Sequence, residues 1–369
     1  MDRTRQFSTW VEVDLGAIEN NVRQVRQITG AAVMAVVKAD GYGHGALQVA
    51  QAALQAGASW CGVARFEEAL ELRSAGLEAP ILLLGYTPPE KLEEAIRAQI
   101  SLAVWSADQI RLAAHSAGRA GVAARLHLKV DTGMGRLGAA PESAPELARS
   151  IAQEPALIFE GLFTHLACAD ETDPARTDFQ GVLFHRLLAR LGADGLRPPL
   201  VHAANSAASL RHPDLYFDMI RLGIAMYGLH PSAESPLPPA FRPALAWKSI
   251  LSQVKIVAPG QGISYGHEYV TSAVERIGTV PVGYADGFRR GRPNQVLVGG
   301  KVVPVVGRVC MDQVMVQLDA VPEARQGDEV VLIGAQGGER ISAEQVARRW
   351  GTNNYEVVCG IGRRVPRVY

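Results

Sequence analysis

Cysteine is scarce in this sequence, and its spacing excludes more than its number. Four cysteines, at 61, 168, 310 and 359, are scattered over 369 residues without a Cys-x-x-Cys pair. That pattern argues against a disulfide framework or a zinc ribbon and suits reduced thiols in a cytoplasmic protein. Charge of one sign is not in excess either. Lys+Arg and Asp+Glu both total 37, so no basic or acidic field advertises nucleic acid or a membrane surface as partner. No apolar run reaches the roughly 18 residues needed to span a bilayer. The opening "MDRTRQFSTWVEVDLGA" lacks the apolar stretch of a signal peptide. The nine histidines show no His-x-x-x-His spacing, and no metal site is expected. Lysine is rare as well: 38, 91, 129, 248, 255 and 301 are the six among 37 basic residues. A lysine at the end of a buried strand is then less easily read as surface filler. Arginine could not replace it where an amine must lose a proton.

What is present is alternation. Short apolar runs such as "AVMAVVK" at 32, "PILLLG" at 80, "ARLHLKVD" at 124 and "LIFEGLFTHLA" at 157 are separated by segments of helical period. "SADQ" from Ser106 reads as a helix start with a capping-box glutamine. Strand–helix alternation from 10 to about 221 predicts a parallel sheet covered by helices. The first run, "WVEVDL", alternates polar and apolar residues and is assigned to an antiparallel sheet elsewhere. The other eight runs predict a (β/α)8 TIM-like barrel, with an open doubly wound sheet as the rival. "PSAESPLPPAFRP" is a linker, after which short strands broken by Gly and Pro predict a mainly-β domain. The expected boundaries are 12–235 for the barrel and 236–369, with 1–11, for the C-terminal domain.

Barrel active sites lie at the C-terminal ends of the strands. Those ends carry Lys38, Arg65, Lys129 with Asp131, His165, Asn205 with Ser206, and Arg221. Lys38 admits three readings: a solvated lysine, a phosphate-binding cation, or a Schiff-base nucleophile. The Gly-x-x-x-x-Gly-Lys-[Ser/Thr] loop is absent, so a P-loop is excluded. The glycines of "DGYGHG" let backbone approach a bulky planar group. "ANSAAS" and "RLGIAMYG" offer hydroxyls and backbone N–H groups late in the barrel, where phosphate is often held. An early reactive lysine and a late phosphate cradle describe pyridoxal phosphate across a barrel mouth.

The motifs "AVVKADGYGHGA", "VDTGMGRLG", "HAANSAAS", "RLGIAMYG", "GISYGHEY", "VGYADG" and "GRVCMDQ" together resemble bacterial alanine racemase, over nearly the whole chain from Trp10 onward. The resemblance implies a homodimer that binds pyridoxal 5'-phosphate and interconverts L-alanine and D-alanine, supplying peptidoglycan. It implies that Lys38 carries the cofactor and that Tyr265 is the second acid/base, reaching the other subunit's cofactor. Arg221 would face the pyridine nitrogen, held by His165. Tyr42, Ser206, Gly223, Ile224 and Tyr355 would contact the phosphate. Arg136 would contact the phenolic oxygen and the substrate, braced by a carbamylated Lys129. Met311 and Tyr284 would line the substrate entry, while Asp312 receives no role. His44, His202 and His267 read as structural. The alternatives are a broad-specificity or serine racemase of the same family, a decarboxylase, and a non-catalytic cofactor carrier.

Overall fold

The computed structural model describes residues 6–291 and 293–369, which form two compact units. The first five residues, placed with the C-terminal domain by the sequence, lie outside the described ones.

One unit comprises Gly16–Gly41 and Ala46–Arg242. After β1 (Thr9–Val13), which belongs to the other unit, its strands are β2 (Ala32–Val36), β3 (Trp60–Val63), β4 (Ile81–Leu83), β5 (Ile100–Val104), β6 (Ala124–Lys129), β7 (Leu157–Phe163), β8 (Leu200–His202) and β9 (Met219–Leu222). They pair in parallel in the order β8-β7-β6-β5-β4-β3-β2-β9. Two backbone bonds bring the ends together: Asp218 N–H to Val201 O at 3.0 Å, and Arg221 N–H to Ala204 O at 2.9 Å. The eight-stranded barrel is thus the one expected, and the doubly wound rival is set aside.

The strands read as apolar runs because both faces are covered, one by helices and one by the barrel interior. Met34, Trp60, Leu82 and Met219 form one interior cluster. Full burial of such side chains stabilises by about 1.5–3 kcal/mol each. The helix Ala107–Ala120 starts where the sequence places it. Ser106 Oγ accepts the Gln109 N–H at 3.3 Å, and Gly121 ends the helix at φ 70°. The glutamine side chain reaches one residue further back than a capping box requires, accepting the Trp105 N–H at 2.8 Å. The linker's last residues stay with the barrel. Asn21 clasps Arg242, accepting its N–H at 2.9 Å and donating to its carbonyl at 2.8 Å.

The other unit contains the residues up to Leu15, Tyr42–Gly45 and Pro243–Tyr369. It is mainly antiparallel sheet around a core that includes Ile263, Ile277 and Val306. β1 pairs antiparallel with Leu245–Ile250 and parallel with Arg367–Val368. The alternating first strand therefore lies outside the barrel, as its pattern predicts.

Candidate active site

The chain leaves β2 through a left-handed turn. Ala39, Asp40 and Gly41 have φ of 53°, 53° and 60° with ψ near 50°. Each non-glycine residue in this region costs about 1–2 kcal/mol, so the turn needs support. The Gly41 N–H bonds Val37 O at 2.8 Å, and Asp40 Oδ1 accepts the Ala46 N–H at 2.9 Å. Glu68 accepts the Ala39 N–H at 2.6 Å and also takes the N–H groups of Ala64 and Arg65. One carboxylate thereby ties the turn carrying Lys38 to the end of β3. Sequence reasoning passed over Glu68, which reads there as one more exposed helical acid.

Beyond β6, Asp131 organises the next loop. Its carboxylate accepts four consecutive backbone N–H groups, Gly133 to Arg136, at 2.7–3.2 Å. Burial works against the charged form, but these bonds prevail and hold the carboxyl below its ordinary range. The loop that bears Arg136 is shaped around this anion.

Arg221, from β9, is buried and surrounded by acceptors. Its guanidinium donates to His202 Nδ1 (3.0 Å), His202 O (3.1 Å), Thr164 O (2.8 Å), His165 Nδ1 (3.0 Å) and Ala203 O (2.9 Å). Burial, then Arg136, pull its pKa down to about 9. Five acceptors favour the cation, so it remains charged. His165 is pushed well below its usual value by burial, then by Arg221, Arg136, Lys129 and Lys38. It is a neutral ring whose Nδ1 accepts. Lys129 is brought down to about 8 by burial, then Arg221 and Arg136, with Asp131 opposing and Lys38 adding to the fall.

Ser206 follows β8. Its Oγ accepts the N–H groups of Gly223 (3.0 Å) and Ala225 (3.3 Å). This pins the short 3-10 turn Ile224–Tyr227 beside the serine. The barrel end therefore brings together Lys38, Lys129, Arg136, His165, Ser206, Arg221, Gly223 and Ile224.

The donor set fits a phosphorylated cofactor. Arg221, Arg136 and Lys38 all press on the protonated form of Lys129, and Arg136 presses on that of Arg221. A cluster of mutually repelling cations is complementary to an anion. Ser206 and the adjoining turn supply the neutral hydroxyl and amide groups that a phosphate needs.

The remaining expected residues lie in the other unit. Tyr42 and Tyr355 meet with ring centroids 6.2 Å apart. Burial, then Tyr355 and Cys359, push the Tyr42 phenol far above its usual range, so it acts as a neutral hydroxyl. Tyr265 sits in a tight turn, with Ser264 at φ 66° and Gly266 at φ 71°, and is 68% exposed. It lines a groove of ≈ 1020 Å³ with Met311 and Asp312. Tyr284 is held beside that loop: its N–H bonds Cys310 O at 3.1 Å, and the Ala285 N–H bonds Met311 O at 3.0 Å. Only glycine fits at 283, where a Cβ would lie 2.2 Å from Met311 O. Arg364 bridges Asp286 and Asp312, both at 2.6 Å, and so braces both sides of this contact.

Three barrel groups escaped sequence reasoning in this role. His202 reads there as structural, and His127 and Glu160 receive no role; His202 bonds Arg221 directly, and His127 and Glu160 connect to it through His202. The available signal was a polar residue inside each of two apolar strands, "ARLHLK" and "LIFEGLF".

The alanine racemase N-terminal domain profile matches residues 13–231, and the C-terminal domain profile matches 244–369. An alanine racemase of Symbiobacterium thermophilum is 47% identical over 372 residues, covering 100% of this chain and 99% of that protein. The alanine racemase structure from Streptomyces coelicolor superposes with TM-score 0.94 at 42% identity, covering 100% of this chain and 99% of that one. That from Bacillus anthracis, solved with bound L-Ala-P, gives TM-score 0.92 at 43% identity, covering 98% and 94%. The two domain matches, the full-length identity and the cationic barrel end agree: this chain belongs to the alanine racemase family, whose members are pyridoxal-phosphate-dependent isomerases.

Proposed function

We propose that the protein interconverts L-alanine and D-alanine by a two-base mechanism, with Lys38 on one face of the substrate and Tyr265 of the partner subunit on the other. The observation that carries this reading is the placement of Lys38 on a braced turn, at the end of a barrel strand, beside a cluster of cations that contains Arg221. Bound pyridoxal phosphate would supply the electron sink that makes the amino acid's α-proton removable.

The chain's own groups do the rest. Lys38 Nζ holds the cofactor and, when released, takes or returns a proton at the α-carbon. Tyr265 Oη does the same from the opposite face, which is why inversion needs two groups. Ser206, Gly223, Ile224, Tyr42 and Tyr355 would hold the cofactor's phosphate. Arg136 would bind its phenolic oxygen and the substrate carboxylate. Arg221 is a fixed cation that would disfavour a proton on the cofactor's ring nitrogen and so restrain the sink. Met311 and Tyr284 line the entry.

Two further features support the reading. The high exposure of Tyr265 suits a residue donated to a second copy, and thus a homodimer. A lysine at about 8, surrounded by Arg221, Arg136 and Lys38, favours conversion of Lys129 to a carbamate. Its nitrogen would attack carbon dioxide and lose a proton, replacing a positive charge by a negative one. A cytoplasmic supply of D-alanine for peptidoglycan belongs to the same proposal.

The test is D-alanine formation from L-alanine by the purified protein with pyridoxal phosphate, beside Lys38→Ala. Turnover by the wild type and its loss in the variant are expected. Cofactor binding without D-alanine formation would overturn the reading.

A further inference from the structure

A chain of buried side chains continues from Arg221 into the barrel interior. His202 Nε2 lies 3.0 Å from His127 Nδ1. His127 Nε2 lies 3.2 Å from Glu160 Oε2. Glu160 also accepts from Ser101 Oγ and from Arg125 at 3.1 Å. Both histidines are fully buried.

The position of every proton follows from the two charged ends together, which demand the same arrangement. A guanidinium only donates. His202 Nδ1, which faces it, must therefore carry a lone pair. A neutral imidazole holds one N–H, so that of His202 is on Nε2 and points at His127 Nδ1. That atom must accept in turn, which places the His127 proton on Nε2, facing Glu160. The carboxylate accepts it. Four groups are thus aligned head to tail from cation to anion, with two neutral rings between.

The fold makes room for this chain. Gly161 stands where a Cβ would be 2.2 Å from His127 Nδ1. The register of β6 against β7 shifts at Leu126/His127. Phe163 stacks on His202 with centroids 4.8 Å apart and planes 7° apart, and Trp60 and His127 make a T-shaped contact. Both rings are held in place, and only the hydrogen bonds choose their tautomers.

We infer that Glu160 and His127 are positioning residues for Arg221: the carboxylate fixes the His127 tautomer, His127 fixes that of His202, and His202 thereby always offers a lone pair to the guanidinium. The role in catalysis rests on the function proposed above; the proton arrangement does not. An inverted chain would turn the His202 Nδ1–H toward Arg221, donor against donor, and loosen the cation at the barrel end.

The test is long-range ¹H–¹⁵N NMR of the cofactor-loaded protein labelled with ¹⁵N-histidine, with signals assigned from His127→Gln and His202→Gln. In the wild type, both rings should be Nε2–H tautomers, with no imidazolium between pH 6 and 8. In Glu160→Gln, whose amide can donate as well as accept, the signals of both rings should move toward the Nδ1–H form. The cofactor absorbance should shift, and kcat should fall on the order of 10-fold with KM little changed. An Nδ1–H tautomer or an imidazolium in the wild type would overturn the inference, and that measurement needs no variant to fold. Unmoved tautomers or unchanged kcat in a folded Glu160→Gln would also overturn it. Correct tautomers in a protein that forms no D-alanine would leave the proton chain standing and reject the functional reading instead.

Discussion

The ring of His127 occupies the space that a side chain at 161 would need: a Cβ on Gly161 would lie 2.2 Å from Nδ1 and 2.4 Å from Cε1. Both residues are on adjacent barrel strands, where neither can move without disturbing the ladder. Gly161→Ala should therefore destabilise the fold by about 1–3 kcal/mol, the usual cost of overpacking. Gly118 gives the opposite sign. It lies within the helix Ala107–Ala120, with nothing within 4 Å of a built Cβ. Gly118→Ala should stabilise by about 0.5–1 kcal/mol. Urea unfolding of the two variants checks both, and equal midpoints would refute the packing argument.

Stability should fall on mild acidification. Burial holds His127, His165 and His202 below their ordinary value in the folded chain. The unfolded chain binds those protons near pH 6.5, while the folded one does not. Stability is therefore fully present above that pH and is lost as pH falls below it. Each ring contributes a slope of up to about 1.4 kcal/mol per pH unit. Glu160 and Asp131, whose folded values are depressed, act in a lower window: their contribution holds above the unfolded carboxylate value and disappears as pH falls through the folded one. The urea midpoint should drop between pH 7 and 5.5, and less steeply in His202→Gln. A midpoint independent of pH over that range would contradict the neutral assignment.

Lys129 should take up carbon dioxide. At about 8, roughly a tenth of its amine is neutral at pH 7, against well under a hundredth for an ordinary lysine. Protein equilibrated with ¹³C-bicarbonate should show a carbamate resonance that Lys129→Ala abolishes. A spectrum identical in the two proteins would remove the modification from the mechanism.

Tyr265→Phe separates the two acid/base groups. The phenyl ring keeps the turn filled but has no proton to move. Racemisation should fall by about 10²–10⁴-fold, the range for loss of a general acid/base. In deuterium oxide, exchange at the α-carbon should persist for one enantiomer, through Lys38. Loss of exchange for both, with cofactor still bound, would argue against a group on each face.

The sequence by itself determined the class of fold and the places where chemistry could gather. Apolar runs buried on both faces can only be parallel strands under helices. Their alternation with helical segments over some 210 residues predicts a barrel, with an open doubly wound sheet as the rival that closure of β9 onto β8 set aside, and polar residues at the strand ends mark its mouth. β1 was legible for the converse reason: its alternating pattern suits one buried face. What only the tertiary structure decided is how those polar groups are held. His127 and His202 are 75 residues apart and His127 and Glu160 are 33 apart, so no local pattern announces that they touch. Glu68 bonds Ala39 across 29 residues. Asp131, two residues past the strand, is an ordinary loop acid until four amide groups turn toward it. Strand identity is written in short-range periodicity, which a sequence displays directly. The charge state and aim of a buried group depend on the few atoms around it, and only chain closure brings those atoms together.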